Sequence, residues 1–195
     1  MHAPTSHFIH SLTALSAILG KAEAHAEAKK IKPDVLPQAR LIADMFPLWR
    51  QVTIVTDHAK GASARLAGLE VPSYPDTETT LAELQARIAK TIAFLQSKLD
   101  ADFSQFESGR YVPHWAGGKG MDGHTCVHEY AIPNFYFHLT MTYALLRQAG
   151  VDLGYTEADM GAGFALKTAV EALPAPGAMA DIQAAIDHAA GAVPG

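Results

Sequence analysis

Pro133-Asn134-Phe135-Tyr136-Phe137-His138, continuing through Leu139-Thr140-Met141-Thr142-Tyr143-Ala144-Leu145-Leu146-Arg147, is the stretch that decides how this chain folds. It opens on a proline, whose fixed φ and missing N–H suit the first turn of a helix. No glycine interrupts it before Gly150. Residues four apart share one helical face, so Asn134 and His138 stack, and Met141 and Leu145 continue the same face. That face is otherwise apolar and is expected to be buried. A buried polar group without a partner costs roughly 1–3 kcal/mol. Asn134 and His138 therefore each require one: a metal ion, another side chain or a ligand.

Working outward, helical spacing dominates the chain. Phe8, Leu12, Leu15, Leu19 and Ala22 form one apolar stripe, which predicts a first helix from Thr5 or Ser6 to Lys29, with Ser6 as N-cap and Pro33 just beyond its end. A second stripe, Leu41, Met45, Leu48, Val52, Val55, Ala59, Ala62 and Leu66, predicts a helix from Asp34 to Leu66, kinked or broken at Pro47. A third helix, capped by Asp76 or Thr77, carries Leu81, Leu84, Ile88, Ile92 and Leu95. Residues 102–128 hold Gly109, Gly117, Gly118, Gly120 and Gly123, and read as a long irregular insertion with room for a hairpin. The last core helix follows from Pro133. Four long helical patterns joined by modest loops argue an all-α four-helix bundle. Residues 1–165 are expected to form that domain. Residues 166–195 are expected to be a C-terminal extension, with a short helix near Ala178 to Ala190.

Composition narrows the function classes. The 195 residues are 49% hydrophobic and 18% charged, with a formal net charge of -5. No basic run exceeds Lys29-Lys30, so no nucleic-acid footprint is visible. No stretch of about 18 apolar residues exists to span a membrane. A single cysteine, Cys126, rules out an intrachain disulfide, and the N-terminus lacks a signal-peptide pattern. These features lead to the expectation of a cytoplasmic protein. Dinucleotide-binding, phosphate-loop, nucleophile-elbow and HExxH signatures are all missing.

Two motifs carry a resemblance. The first is Arg40-Leu41-Ile42-Ala43-Asp44-Met45-Phe46-Pro47-Leu48-Trp49-Arg50-Gln51-Val52, with Asp57, Ala59-Lys60 and Arg65-Leu66-Ala67-Gly68. The second is Pro133 to His138 with Tyr143-Ala144-Leu145-Leu146-Arg147-Gln148-Ala149-Gly150-Val151-Asp152-Leu153-Gly154. Together they resemble the second-helix and last-helix signatures of a domain of unknown function within the DinB/YfiT-like superfamily, over residues 5–161. The resemblance implies a DinB-like four-helix bundle, often a homodimer. It also implies a divalent metal held by three histidines, one from the second helix and two from a His-x-x-x-His pair on the last. Some members of the superfamily are thiol-dependent transferases or hydrolases. This chain departs from the pattern: Asn134 stands where the first histidine of the pair is expected. On the second helix His58 is available, but Asp57 is the better match to the motif.

These readings locate a small-ligand pocket between the second and last helices, lined by Asp44, Trp49, Gln51, Asp57, Asn134, Tyr136, His138 and Arg147. Asp44, Gln51 and His58 lie seven apart and would share a face if Pro47 only kinked the helix. A metal, zinc or nickel, would be held by His58, Asn134 and His138. A carboxamide is a weak ligand beside imidazole, so a metal-free hydrogen-bond network is favoured. In that reading the bundle is a dimeric binding or interaction module rather than an enzyme. A second metal candidate is His124, Cys126 and His128, convergent if they alternate on a strand, with His114 as a fourth ligand. The same neighbours could activate Cys126 as a nucleophile, although a lone cysteine more often packs as a small hydrophobe. Arg40, Arg50 and Arg147 are the cations able to clamp an anion. The expected partners are a second copy of the chain and an unidentified small molecule.

Overall fold

The computed structural model describes residues 4–99, 110–111 and 119–153, the strand residues 110–111 by their backbone alone. Helix α1 spans Thr5–Lys29, α2 Leu48–Leu66 and α3 Leu81–Gln96; a 3₁₀ turn covers Leu36–Gln38. Strands β1 (Arg110–Tyr111) and β2 (Met121–Asp122) pair antiparallel, Arg110 opposite Asp122 and Tyr111 opposite Met121. A short α4, Gly123–Thr125, leads through a π-helical segment, Cys126–Ala131, into α5, Ile132–Gln148. The fold is an all-α four-helix bundle, in which α2 packs on α3 and α5, and α1 packs chiefly on α3.

The α1 stripe behaves as its spacing requires: Phe8, Leu12, Leu15, Leu19 and Ala22 are fully buried. Phe8 meets Phe135 of α5 with ring centroids 4.8 Å apart, which joins the first and last helices. The N-cap is Pro4 rather than Ser6, and it makes no side-chain cap bond. At the other end Lys30 takes a left-handed conformation, φ 55°, and its N–H reaches back to the carbonyls of Ala26 and Glu27.

Pro47 starts α2; it does not kink it. Proline cannot donate within a helix and pushes the residue before it out of helical space. Its extended ψ of 165° marks the break. Residues 39–47 are irregular; of the two stripe residues ahead of Pro47, Leu41 is 48% exposed and Met45 only half-buried. Helix α3 is capped by Thr80, not by Asp76 or Thr77. Thr80 accepts from the Glu83 N–H, and the Glu83 carboxylate accepts from the Thr80 N–H, a reciprocal capping box.

The largest departure lies before α5. Glycine content predicts an irregular segment up to residue 128, but the chain turns helical at Gly123. Asp122 accepts from the Thr125 N–H at 2.8 Å and caps the new helix. The hairpin for which the insertion has room is the pairing of β1 with Met121–Asp122. The expected domain boundary near residue 165, the extension 166–195 and His114 lie outside the described residues.

Candidate functional site

Gln51 sits in the second turn of α2 and His138 in the second turn of α5, where the two helices pack; they are 1% and 9% exposed. The Gln51 amide nitrogen donates to the Phe46 carbonyl at 3.1 Å. A carbonyl can only accept, so this bond fixes which way the amide points. The Gln51 oxygen then faces His138 Nδ1 at 2.6 Å, and Nδ1 must carry the proton. Neutral His138 therefore keeps its lone pair on Nε2, a tautomer set from the far side of the ring. Burial, and then the charge of Arg50, lower the His138 pKa to about 4.

His58 comes up two helical turns beyond Gln51, on the same face of α2. Its ring stacks on that of His138 with centroids 6.3 Å apart and 15° between planes, and meets Tyr130 edge-on at 5.2 Å. Burial, followed by the proximity of His138, brings its pKa to about 4, with Asp57 opposing and Arg65 adding to the drop. At neutral pH the helices thus present two uncharged imidazoles. Beside them lies a cavity of about 190 Å³ lined by Arg50, Ile54, Asp57, His58, Ala62, Arg65, Cys126, Tyr130 and Ala131.

The π-helical segment shapes this cavity from the other side. A π turn inserts an extra residue and moves each backbone bond one position on. The Asn134 side chain donates to the Tyr130 carbonyl at 2.6 Å, at the junction of the π segment and α5. Asn134 thus braces the turn that holds Tyr130 against His58. That role explains a carboxamide at this position without a metal.

The remaining sequence candidates separate. Asp57 lines the cavity, but its carboxylate accepts from Arg87 at 2.9 Å and pairs with Lys60 at 2.8 Å. Arg87, with 2% of its side chain exposed, also bonds Thr56, Glu78 and the Pro75 carbonyl, so Asp57 belongs to an ion network joining α2 to α3. Asp44 is exposed in the irregular segment ahead of α2, because the break at Pro47 ends the shared face. Trp49 is half-buried at the start of α2 and does not line the cavity. Tyr136 turns toward α1, where its hydroxyl bonds His7 and Ser11. Arg147 is exposed and bonds the Val151 carbonyl at the end of α5.

His124, Cys126 and His128 do not alternate on a strand. They lie in α4 and the π segment, where His124 and His128 are one turn apart with ring centroids 4.6 Å apart. Cys126 points elsewhere, into a cluster with Leu66 and Val127. Burial raises its thiol pKa, against the nearby Arg65 charge. It remains a protonated, packed thiol, which removes the basis for an activated nucleophile.

The donor set nearest the expected metal position is His58, His138 and the carboxamide of Asn134. Two imidazoles and one weak neutral oxygen do not match a zinc or nickel site. Among the described residues, no group of three or more His, Cys, Asp or Glu side chains is arranged to hold a metal ion.

Arg65, like Ile54 and Tyr130, is a cavity residue that sequence reasoning does not assign to the site. The signal was available: Gly61 lies one helical turn before it, on the same face. A Cβ at Gly61 would sit 2.6 Å from Arg65 Nη1, so the glycine makes room for the guanidinium to lie along α2. A second hollow, about 300 Å³, lies beside Tyr74, whose ring is approached by Lys60, Arg87 and Lys90.

Comparison with known proteins agrees with this architecture. A crystal structure of a DinB family member protein from Shewanella denitrificans, at 1.83 Å resolution, is 41% identical. It superposes with a TM-score of 0.74, over 88% of this chain and 93% of that one. No curated protein matches the chain significantly. The family model described as domain of unknown function DUF1993 matches residues 2–157, and the chain belongs to that family, with a DinB-like fold.

Proposed function

We propose that this protein is a small-ligand-binding helical bundle. Its pocket is the cavity between α2 and the α4–π–α5 rod, with His58, Tyr130 and Arg65 on its walls and His138 stacked behind His58. The observation that carries this reading is the stacked pair of neutral imidazoles, His138 buried and oriented by Gln51 and His58 half-buried at the cavity wall. Neutral rings in a partly desolvated cleft can donate to or accept from a ligand without a charge to satisfy. The donor set argues for a ligand bound directly rather than through a metal. A thermal-shift screen of small metabolites, run on the wild type and His58→Ala, tests it. Compounds that raise the wild-type melting temperature and lose that effect in the variant are expected. Stabilisation by zinc or nickel alone would reverse the metal-free part. A screen without any His58-dependent compound would remove the pocket.

A second reading, association of two copies, has one observation in its favour. Val35, Leu41, Ile42 and Phe46, all on the segment leading into α2, are 48–59% exposed. Clustered apolar exposure of this kind marks contact surfaces. Sedimentation at several concentrations checks it: a dimer that dissociates in Ile42→Glu is expected, and a monomer at every concentration rules it out.

A further inference from the structure

The geometry points to a more specific ligand class: a small carboxylate with a short apolar tail, its carboxylate seated on the Arg65 guanidinium. This rests on the reading of the cavity as a ligand pocket. Three features of the cavity lead to it.

The first is charge. Every other ion on the wall is answered by a partner: Arg50 by Asp76, and Asp57 by Lys60 and Arg87. Arg65 is half-buried and makes no hydrogen bond or ion pair among the described residues. A planar guanidinium in a partly desolvated cleft is built to take a carboxylate through two parallel hydrogen bonds. A dianion such as phosphate suits the site less, because the other arginine on the wall, Arg50, is already paired with Asp76.

The second is Gly61. Glycine inside a helix is less stable than alanine there. The space it leaves is the space the guanidinium occupies, 2.6 Å from the missing Cβ. Gly61 therefore acts as a positioning residue: it lets Arg65 fold back along α2 toward His58 instead of reaching into solvent.

The third is size and lining. At about 190 Å³ the cavity is smaller than the roughly 300–1,000 Å³ typical of drug-sized ligands. A nucleotide is too large for it. Ile54, Ala62 and Ala131 supply apolar wall for a tail of a few carbons, and His58 and Tyr130 add ring surface to the same wall.

The test is a protein-observed NMR titration of the full chain with isobutyrate, its neutral isostere isobutyramide, and inorganic phosphate. Isobutyrate is expected to shift the Ile54, Ala62 and Tyr130 amides saturably, with isobutyramide weaker by about tenfold or more. Arg65→Met should abolish the response. Gly61→Ala should weaken it by about tenfold while melting no lower than the wild type, since only the mobile end of Arg65 must move. That second variant decides the matter if Arg65→Met folds poorly. Equal binding of acid and amide, tighter binding of phosphate, or wild-type affinity in Gly61→Ala would each overturn the inference. If isobutyramide binds in a His58-dependent manner as well as the acid does, the pocket stands and the carboxylate assignment fails. If no probe moves these amides, the carboxylate assignment fails together with the pocket reading beneath it.

Discussion

His138 donates from Nδ1 to the side-chain oxygen of Gln51 at 2.6 Å, across the packed faces of α5 and α2. The relationship is directional, because the Gln51 nitrogen is already committed to the Phe46 carbonyl. A chain of bonds therefore runs from the backbone just before Pro47, through Gln51, to the imidazole. The break that begins α2 is connected to the tautomer at the site.

This coupling predicts a non-additive pair. His138→Leu should destabilise by about 1–3 kcal/mol, since it leaves the buried Gln51 oxygen without a donor. Gln51→Met should cost a comparable amount. The double variant should cost less than the sum by about 1 kcal/mol, as expected of residues in direct contact. Urea denaturation of the four proteins measures the cycle, and strict additivity would show that the bond contributes nothing.

Acid should weaken the fold in a defined window. His58 and His138 both have folded-state pKa values of about 4, against 6.5 for a free histidine. The unfolded chain binds more protons between these values, so stability rises with pH there and is lost on acidification from 6.5 toward 4. For the well-buried His138 the loss is of the order of 2 kcal/mol; half-exposed His58 adds less. Glu83 and Asp122, whose pKa values are lowered by backbone N–H donors, lose their contributions only at lower pH. Between pH 6.5 and 5, a stability profile for His138→Gln should therefore be flatter than that of the wild type. Superimposable profiles would contradict the assignment.

Asp57 is predicted to be structural. Arg87→Met should cost about 3–5 kcal/mol, because Asp57 and Glu78 then lose a shared buried cation. Asp57→Asn should also destabilise, yet leave ligand affinity in the cavity within about twofold, since its charge is spent on Arg87 and Lys60. Chemical denaturation and the ligand titration separate the two effects.

The capping box offers a local check. Thr80→Ala should lower stability by about 1 kcal/mol, whereas Thr77→Ala should be silent, because Thr77 is exposed and outside the box. Equal effects would place the cap wrongly.

Much of the fold was legible because burial in a bundle follows helical spacing. The α1 stripe obeys it residue by residue; on α5, His138 and Leu145 are buried as their face requires, but Asn134 and Met141 are only half-buried, and Phe135, Leu139, Thr142 and Leu146 complete the core. The errors came where spacing imitates structure. Leu41 and Met45 continue the α2 stripe in sequence, but Pro47 denies them the helix, and the backbone rule outweighs the apolar pattern. His124, Cys126 and His128 alternate like strand residues, yet Asp122 caps a helix ahead of them. Glycine around Gly123 then marks a helix start, not a loop. At the site, Gln51 and His58 were readable as one face of α2, and His138 as an inward residue of α5. Asn134 was legible as polar and inward but not as a brace, because a π turn leaves no periodic signature. Arg65 was missed because a lone arginine near a helix end reads as surface; only its spacing from Gly61 hints at the packed guanidinium.

Crystallographic fragment screening of the full chain tests the central claim most directly, because it reports where small molecules bind without assuming their identity. The account predicts fragments in the cavity bounded by Ile54, His58, Arg65 and Tyr130, with acidic fragments placing a carboxylate on Arg65. Fragments bound only elsewhere, for instance beside Tyr74 and Lys90, would contradict it.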